Sequence, residues 1–307
     1  MTESNSKHSK RRVNGVLLFD KPLGISSNTA LQQVKRLYHA QKAGHTGVLD
    51  PLATGLLPIC FGEATKFAQY LLDADKAYTA TVYLGKATST GDAEGEVIEK
   101  SDVIPDENTF QAACDAFLGE IQQIPPMYSA LKHQGRALYD YARQGIHIDR
   151  PPRDVVIHQI QIQSFRQPET VLDIKCSKGT YIRTLAEDIA RHAGTVAHLT
   201  ALRRTATAGF DIQNAYDWHT LENLNQEALD ALLLPCDAGL RHLPEIILDN
   251  AQIQALQQGE KVAFHTNQSI ISSFRVYNHE KRFIGLVQYI SGSLKAQRLM
   301  STEAERC

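Results

Sequence analysis

The sequence predicts a mixed architecture of helices and strands, α+β or α/β, followed by a small β-barrel. Three observations carry that reading. From Val13 onward, runs that alternate like strands are interleaved with runs of helical spacing. Residues 171–194 give the clearest case, a strand followed at once by a helix. Beyond about Ile247 the texture changes to one short helical piece and several β-rich runs. A chain of 307 residues also exceeds the size at which one hydrophobic core usually stops growing, so a large unit plus a small one is expected.

The elements follow in order. Residues 1–12 (MTESNSKHSKRR) hold no aliphatic side chain after Met1 and are expected as a mobile basic tail, with Lys7, Lys10, Arg11 and Arg12 available to touch phosphates. From Val13 the chain reads as a strand (VLLF), a turn (DKPLG), and a helix capped by Ser27 or a neighbour, with Leu31, Val34 and Leu37 inward. A glycine-punctuated segment, 44–62, separates this helix from a short one around Phe67, Tyr70 and Leu71 and from an alternating strand, Ala77 to Leu84. Residues 125–153 carry five Lys/Arg and three tyrosines between Pro-rich ends, a basic insertion with one short helix. Such a segment either grips an RNA loop or is a plain surface excursion. In VLDIKC, Leu172, Ile174 and Cys176 share one strand face. Ile182, Leu185, Ala186, Ile189 and Ala193 then recur at helical spacing, and Gly194 stands where a C-terminal cap belongs. The last runs, VAF, SIISSFRVY, FIGLVQYI and LKAQRLM, follow a helical piece around Ile253 and Leu256. The domain division is therefore 1–12, 13–246 and 247–307.

Composition narrows the class. No run approaches the roughly 18 apolar residues of a membrane helix, and the polar N-terminus lacks the apolar core of a signal peptide, so a cytoplasmic protein is expected. Cysteines at 60, 114, 176, 236 and 307 are widely spaced and odd in number, which reads as reduced thiols and not as a zinc or disulfide framework. The net charge is −2, yet residues 124–212 hold twelve Lys/Arg against eight Asp/Glu, and residues 213–262 hold two against eight. That asymmetry suits one phosphate-facing surface or a chance cluster on a solvated face.

The densest motif is GHTGVLDPLATGLLP, residues 44–58. Its glycines permit backbone conformations closed to other residues, and Pro51 biases Asp50 toward an extended conformation. Asp50 thus sits on a stiff turn, where a carboxylate serves as nucleophile or base, or merely marks the turn. No second carboxylate at glycosidase spacing and no metal cluster accompanies it. Arg183 falls in the first turn of its helix, where the dipole disfavours a cation by roughly 0.3–1 kcal/mol. A carboxylate such as Asp50 or a phosphate would compensate; a solvent-pointing side chain is the alternative. Tyr78, Tyr181 and His45 lie at element edges or in the stiff turn, placed either to stack on an extruded base or to fill a core.

Seven ordered blocks, DKPLGISSN (20–28), GHTGVLDPLATGLLP (44–58), KAYTATVYLG (76–85), TGDAEGEV (90–97), IPPMYSALK (124–132), CSKGTYIRTLAEDI (176–189) and AHLTALRRT (197–205), closely resemble the bacterial tRNA pseudouridine synthase B family. The resemblance implies an α+β pseudouridine synthase fold: a mixed, mainly antiparallel sheet with flanking helices, a thumb-like insertion near 125–153 and a C-terminal PUA-like RNA-binding barrel. It implies isomerisation of uridine 55 in the tRNA T-loop, with Asp50 as nucleophile and Arg183 pairing its carboxylate. Tyr78 would stack on the flipped base and take part in proton transfer; His45 would hold the target loop, and Tyr181 and Leu202 would complete the nucleotide pocket. No cofactor, metal or protein partner is implied, and a monomer acting on the tRNA T-arm suffices. Ala208-Gly209 departs from the Gly-Pro often found there in the family. An RNA-folding chaperone with secondary chemistry and an N-glycosidase releasing uracil are the alternatives.

Overall fold

The structure is a computed structural model that describes residues 10–265 and 273–301. Its larger part is built on a nine-stranded sheet: β1 (Gly15–Lys21), β2 (Ala43–His45), β3 (Ala53–Phe61), β4 (Lys76–Leu84), β5 (Gly119–Gln123), β6 (Arg153–Arg166), β7 (Glu169–Cys176), β8 (Ala197–Thr207) and β9 (Phe210–Asp211). The path runs β1-β3-β8-β4-β7-β6-β5, with β2 on β3 and β9 on β8. Pairing is antiparallel except where β8 meets β3, with Leu202 opposite Ala53. The architecture is therefore α+β with a mixed, mainly antiparallel sheet.

Strand alternation separates two cores. Leu17, Phe19, Leu57, Ile59, Ala80, Val82, Leu172 and Ile174 face the helices α1 (Ser27–Leu37), α2 (Glu107–Asp115) and α3 (Ile182–His192), which contribute Leu31, Val34, Phe110, Leu185 and Ile189. The intervening residues Val16, Leu18, Leu56 and Cys60 face the other way, onto Ala64 and Leu71. The cap of α1 is Ser26, which accepts from Thr29 N at 3.1 Å. Its neighbour Ser27 is buried and committed elsewhere. Gly194 takes φ +80 beyond α3. Cys60, Cys114 and Cys176 are buried free thiols and Cys236 is a half-buried one; Cys307 lies outside the described residues.

Two expectations need correction, and one element goes unassigned in the sequence: the second half of the segment 44–62 is β3, a buried strand of the sheet. Gly55 and Pro58 disguise it. Gly55 holds φ +103, and a Cβ there would stand 2.3 Å from the Arg204 carbonyl oxygen on β8, so the glycine permits the close parallel approach of the two strands. The tail does not extend to residue 12: Arg11 bridges the Asp230 carboxylate and donates to the Tyr38 carbonyl at 2.9 Å, so polar pairing anchors what apolar burial cannot. Residues 1–9 of that tail, Lys7 included, lie outside the described residues. The C-terminal unit begins before residue 247. Glu245–Ile247 forms β10 and pairs in parallel with Ser273–Tyr277.

That unit is a curled five-stranded sheet, with α4 (Asn250–Gln257), β11 (Val262–Ala263), β12 (Ser273–Tyr277), β13 (Phe283–Ile290) and β14 (Ser293–Leu299) in the order β10-β12-β13-β14-β11. The start of the expected SIISSFRVY run lies outside the described residues. The unit is fastened to the larger part by Phe67 and Leu240 packing on Leu286, and by Asp237, which is bound by the Tyr277 hydroxyl and by Arg275 at 3.2 Å. The insertion 125–153 carries a short hairpin, Lys132–His133 with Arg136–Ala137, and the helix Leu138–Ala142. No helix among the described residues is long and apolar enough to cross a membrane.

Gly55→Ala forces a collision with backbone, not with a movable side chain, on top of a left-handed φ. The substitution is expected to lower stability by about 2 kcal/mol or more in urea denaturation; an unchanged midpoint would refute this account of β3.

Candidate active site

Asp50 stands in the connection between β2 and β3, and each side of it is tied down. Thr46 N donates to the Pro58 carbonyl at 3.1 Å, and Gly47 takes φ +95, where L-residues are strained. Ser27 Oγ accepts from Leu49 N at 2.7 Å and donates to the Leu49 carbonyl at 2.9 Å, so α1 holds the residue before Asp50. Gly24 N donates to the Pro51 carbonyl at 2.9 Å, and Ala53 N to the Asp50 carbonyl at 3.0 Å. The DKPLG turn that supplies Gly24 is itself organised by a fully buried cation: Lys21 Nζ donates to the carbonyls of Pro22 at 2.8 Å and Ile25 at 2.7 Å. Burial brings the Lys21 pKa down to about 8, against the attraction of Asp50.

The helix-dipole anomaly at Arg183 has its compensation. The guanidinium reaches Asp50 at 2.9 Å and Asp92 at 3.3 Å, and donates to the carbonyls of Thr90 at 2.8 Å and Tyr128 at 2.6 Å. Four acceptors from three separate segments thus fix one planar donor. The start of α3 is set in turn by Gln123, whose amide exchanges hydrogen bonds with Tyr181 N at 2.7 Å and the Tyr181 carbonyl at 3.0 Å. Asp92 is held by Thr90 Oγ1 at 2.6 Å and Glu94 N at 3.1 Å.

Two carboxylates share one arginine, and the charge balance is negative. The Arg183 and Asp92 side chains are only 7% and 3% exposed, whereas Asp50 is 39% exposed at the opening. Burial among protein groups pushes the Asp50 carboxyl above the usual aspartate range; Arg183 opposes this, and Asp92 adds to it. Arg183 therefore limits the upward shift without abolishing it.

All six residues singled out by sequence converge. A cavity of about 280 Å³ is walled by Asp50, Tyr78, Tyr181, Arg183 and Leu202. A second of about 490 Å³ shares Asp50 and Arg183 with it and adds His45, Asp92, Tyr139 and Arg143. Tyr139 and Arg143 come from the 125–153 insertion, which closes over the site. Burial holds the His45 pKa down and raises that of Tyr78, so near neutral pH the former is an uncharged ring and the latter a protonated phenol. Behind Tyr78 on the adjoining strand lies Arg204, 1% exposed, its Nε donating to the Leu56 carbonyl at 2.7 Å.

Sequence reasoning does not single out Asp92, Lys21 or Arg204. Asp92 has a visible signal, since TGDAEGEV is a glycine-flanked acidic turn; the two buried cations have none, because nothing local marks a lysine or arginine as interior.

Residues 35–182 match the TruB family pseudouridylate synthase (N terminal domain), residues 183–241 the tRNA pseudouridylate synthase B C-terminal domain, and residues 244–300 the Pseudouridine synthase II TruB, C-terminal. Proteins named tRNA pseudouridine synthase B from Neisseria gonorrhoeae and Neisseria meningitidis serogroup B are both 57% identical, over 97% and 98% of this chain and 98% and 99% of theirs. The chain belongs to the TruB family of pseudouridine synthases. It is accordingly an RNA-modifying isomerase that forms pseudouridine in tRNA. Its fold is shared more widely. A chain of a Cbf5-Nop10-Gar1 complex superimposes with a TM-score of 0.71 at 22% identity, covering 94% of this chain and 86% of that one. A chain from an H/ACA RNP bound to a substrate RNA containing 2′-deoxyuridine gives 0.70 at 19%, covering 98% and 94%. Ala208 and Gly209 both adopt positive φ, +54 and +77, in the turn from β8 to β9.

If Asp50 must be ionised to act, turnover falls as pH drops through its pKa, and that fall lies above the range of an ordinary aspartate. Asp92→Asn removes the neighbouring like charge, so the acid limb of the kcat profile is expected to move to lower pH, whatever the plateau. A limb that stays in place or moves up would contradict this reading.

Proposed function

We propose that this chain isomerises uridine 55 of the T-loop of tRNA, with Asp50 as the nucleophile, acting as a cytoplasmic monomer on the T-arm. One observation carries the reading: Asp50 supplies the one carboxylate among the described residues lining the inner cavity, and Arg183 holds it at 2.9 Å. The target base is flipped out of the loop into the space walled by Tyr78, Tyr181 and Leu202, because its reacting atoms are out of reach in a stacked, paired loop. The Asp50 carboxylate then attacks C1′ or takes the C2′ proton; by either route the N1–C1′ bond breaks and uracil leaves as an anion. The base, kept between Tyr78 and Leu202, turns until C5 faces C1′. A C5–C1′ bond forms as Asp50 leaves C1′ or, on the elimination route, returns its proton to C2′; C5 then loses its proton and N1 gains one. Atoms balance without an oxidant or co-substrate.

The roles of the wall follow from chemistry. Arg183 keeps a usable fraction of Asp50 ionised and aims it. The Tyr78 phenol, protonated and buried, presents a stacking face and an O–H to the base edge. His45, uncharged, holds the flipped nucleotide from the outer cavity without competing for Asp50. The insertion with Tyr139 and Arg143 grips the loop, and the C-terminal sheet extends the RNA-binding surface.

Asp50→Asn keeps shape and removes the nucleophile. Pseudouridine mapping of a tRNA transcript is expected to find wild-type product at position 55 with unchanged RNA mass, and none with Asp50→Asn, while gel-shift binding persists. Retained turnover in the variant removes Asp50 from the mechanism, a different modified position removes the T-loop assignment, and loss of mass from the RNA indicates an N-glycosidase. Refolding of misfolded tRNA that persists in the inactive variant would establish a chaperone role beside the chemistry.

A further inference from the structure

Where β8 ends, the sheet borders a third cavity, of about 500 Å³, which the isomerisation does not use. Its wall includes Lys76, Lys175, Thr207, Gly209, Arg241 and His242. These come from β4, β7, the end of β8 with its turn into β9, and the segment just before β10, so the cavity lies at the junction of the two parts of the molecule. The side chains of Lys175, Arg241 and His242 are exposed and make no ion pair or hydrogen bond among the described residues, whereas Lys76 Nζ donates to the Leu72 carbonyl at 2.9 Å. One carboxylate, Asp75, also lines the wall, and His158 engages it at 3.1 Å. Cationic side chains left without counter-charges around a concave surface are the usual footprint of a phosphate site.

The position relative to the active site names the anion. Leu202 walls the nucleotide cavity and Thr207 walls this one, five residues along the same strand, or about 17 Å at a strand rise of about 3.3 Å. An RNA backbone carries one phosphate per nucleotide, so a strand leaving the active site brings phosphates to this cavity within a few nucleotides. We propose that this cavity is a second RNA contact, in which Lys175 and Arg241 take backbone phosphates of the tRNA a few nucleotides from the flipped uridine. The proposal rests on tRNA being the substrate, as the functional reading above also does, but not on Asp50 being the nucleophile. It accounts for a protein of net charge −2 that nonetheless binds a polyanion: two unpaired cations are reserved at a defined distance from the chemistry.

The test is the salt dependence of tRNA binding by the full chain. Lys175→Gln and Arg241→Gln are each expected to weaken binding of a tRNA transcript several-fold at low salt. Each should also make the slope of log K against log salt concentration shallower by about 1, as loss of one phosphate contact requires. Turnover at saturating tRNA should stay at the wild-type rate. Lys100→Gln, an exposed lysine on another edge of the fold, serves as the control for bulk charge and should leave the slope unchanged. Lys175→Arg and Arg241→Lys should keep the wild-type slope, which separates charge from folding. Slopes of the Gln variants equal to that of Lys100→Gln, weaker binding with an unchanged slope, or loss of slope in the charge-conserving variants would each overturn the site. None of these results bears on Asp50, whose failure would instead appear as turnover by Asp50→Asn.

Discussion

One guanidinium organises this molecule's chemistry. Arg183 is nearly buried and is held between two carboxylates and two backbone carbonyls. A buried cation is tolerated only when paired and fully hydrogen-bonded, and removal of one partner leaves an uncompensated charge. Asp92 satisfies it from the interior side and Asp50 from the open side. Burial raises the Asp50 pKa, Asp92 adds to the rise, and Arg183 only limits it, so the carboxyl at the opening stays above the ordinary aspartate range. The same contacts that stabilise the arginine therefore leave Asp50 reactive.

The fold serves that arrangement by bringing unrelated segments to one end of a sheet. β4 brings Tyr78, β8 brings Leu202 and Arg204, the start of α3 brings Tyr181 and Arg183, and the loop before β3 brings Asp50. The parallel β3–β8 contact is close, and Gly55 allows it by having no side chain. The loop that carries Asp50 is anchored to α1 through Ser27 and to the DKPLG turn through Gly24 and Lys21, so its geometry is set by backbone hydrogen bonds.

Much of this arrangement is legible in the amino-acid sequence, and the rest is hidden for identifiable physical reasons. Asp50 is legible because glycines and a proline around a carboxylate describe a rigid turn. Arg183 is legible because a cation in a helix's first turn demands an anion. The strand–helix pair of β7 and α3 follows from periodicity alone. By contrast, β3 carries a glycine and a proline that read as loop residues, although one permits close packing and the other still offers its carbonyl to Thr46. β6 carries the strand alternation QIQIQ, which the sequence reading leaves unassigned. The tail boundary is misplaced because Arg11 is anchored by charge pairing, which no hydrophobic pattern reveals. Asp92, Lys21 and Arg204 meet their partners only through tertiary structure.

The central claim is that Arg183 holds the Asp50 carboxylate toward its ionised form. Carbon-13 NMR titration of the Asp50 carboxyl, assigned by its disappearance in an Asp50→Asn sample, measures this directly in wild-type protein and in Arg183→Met. The account predicts a further rise of the Asp50 pKa when the guanidinium is removed. A pKa that is unchanged or lower in Arg183→Met would contradict it.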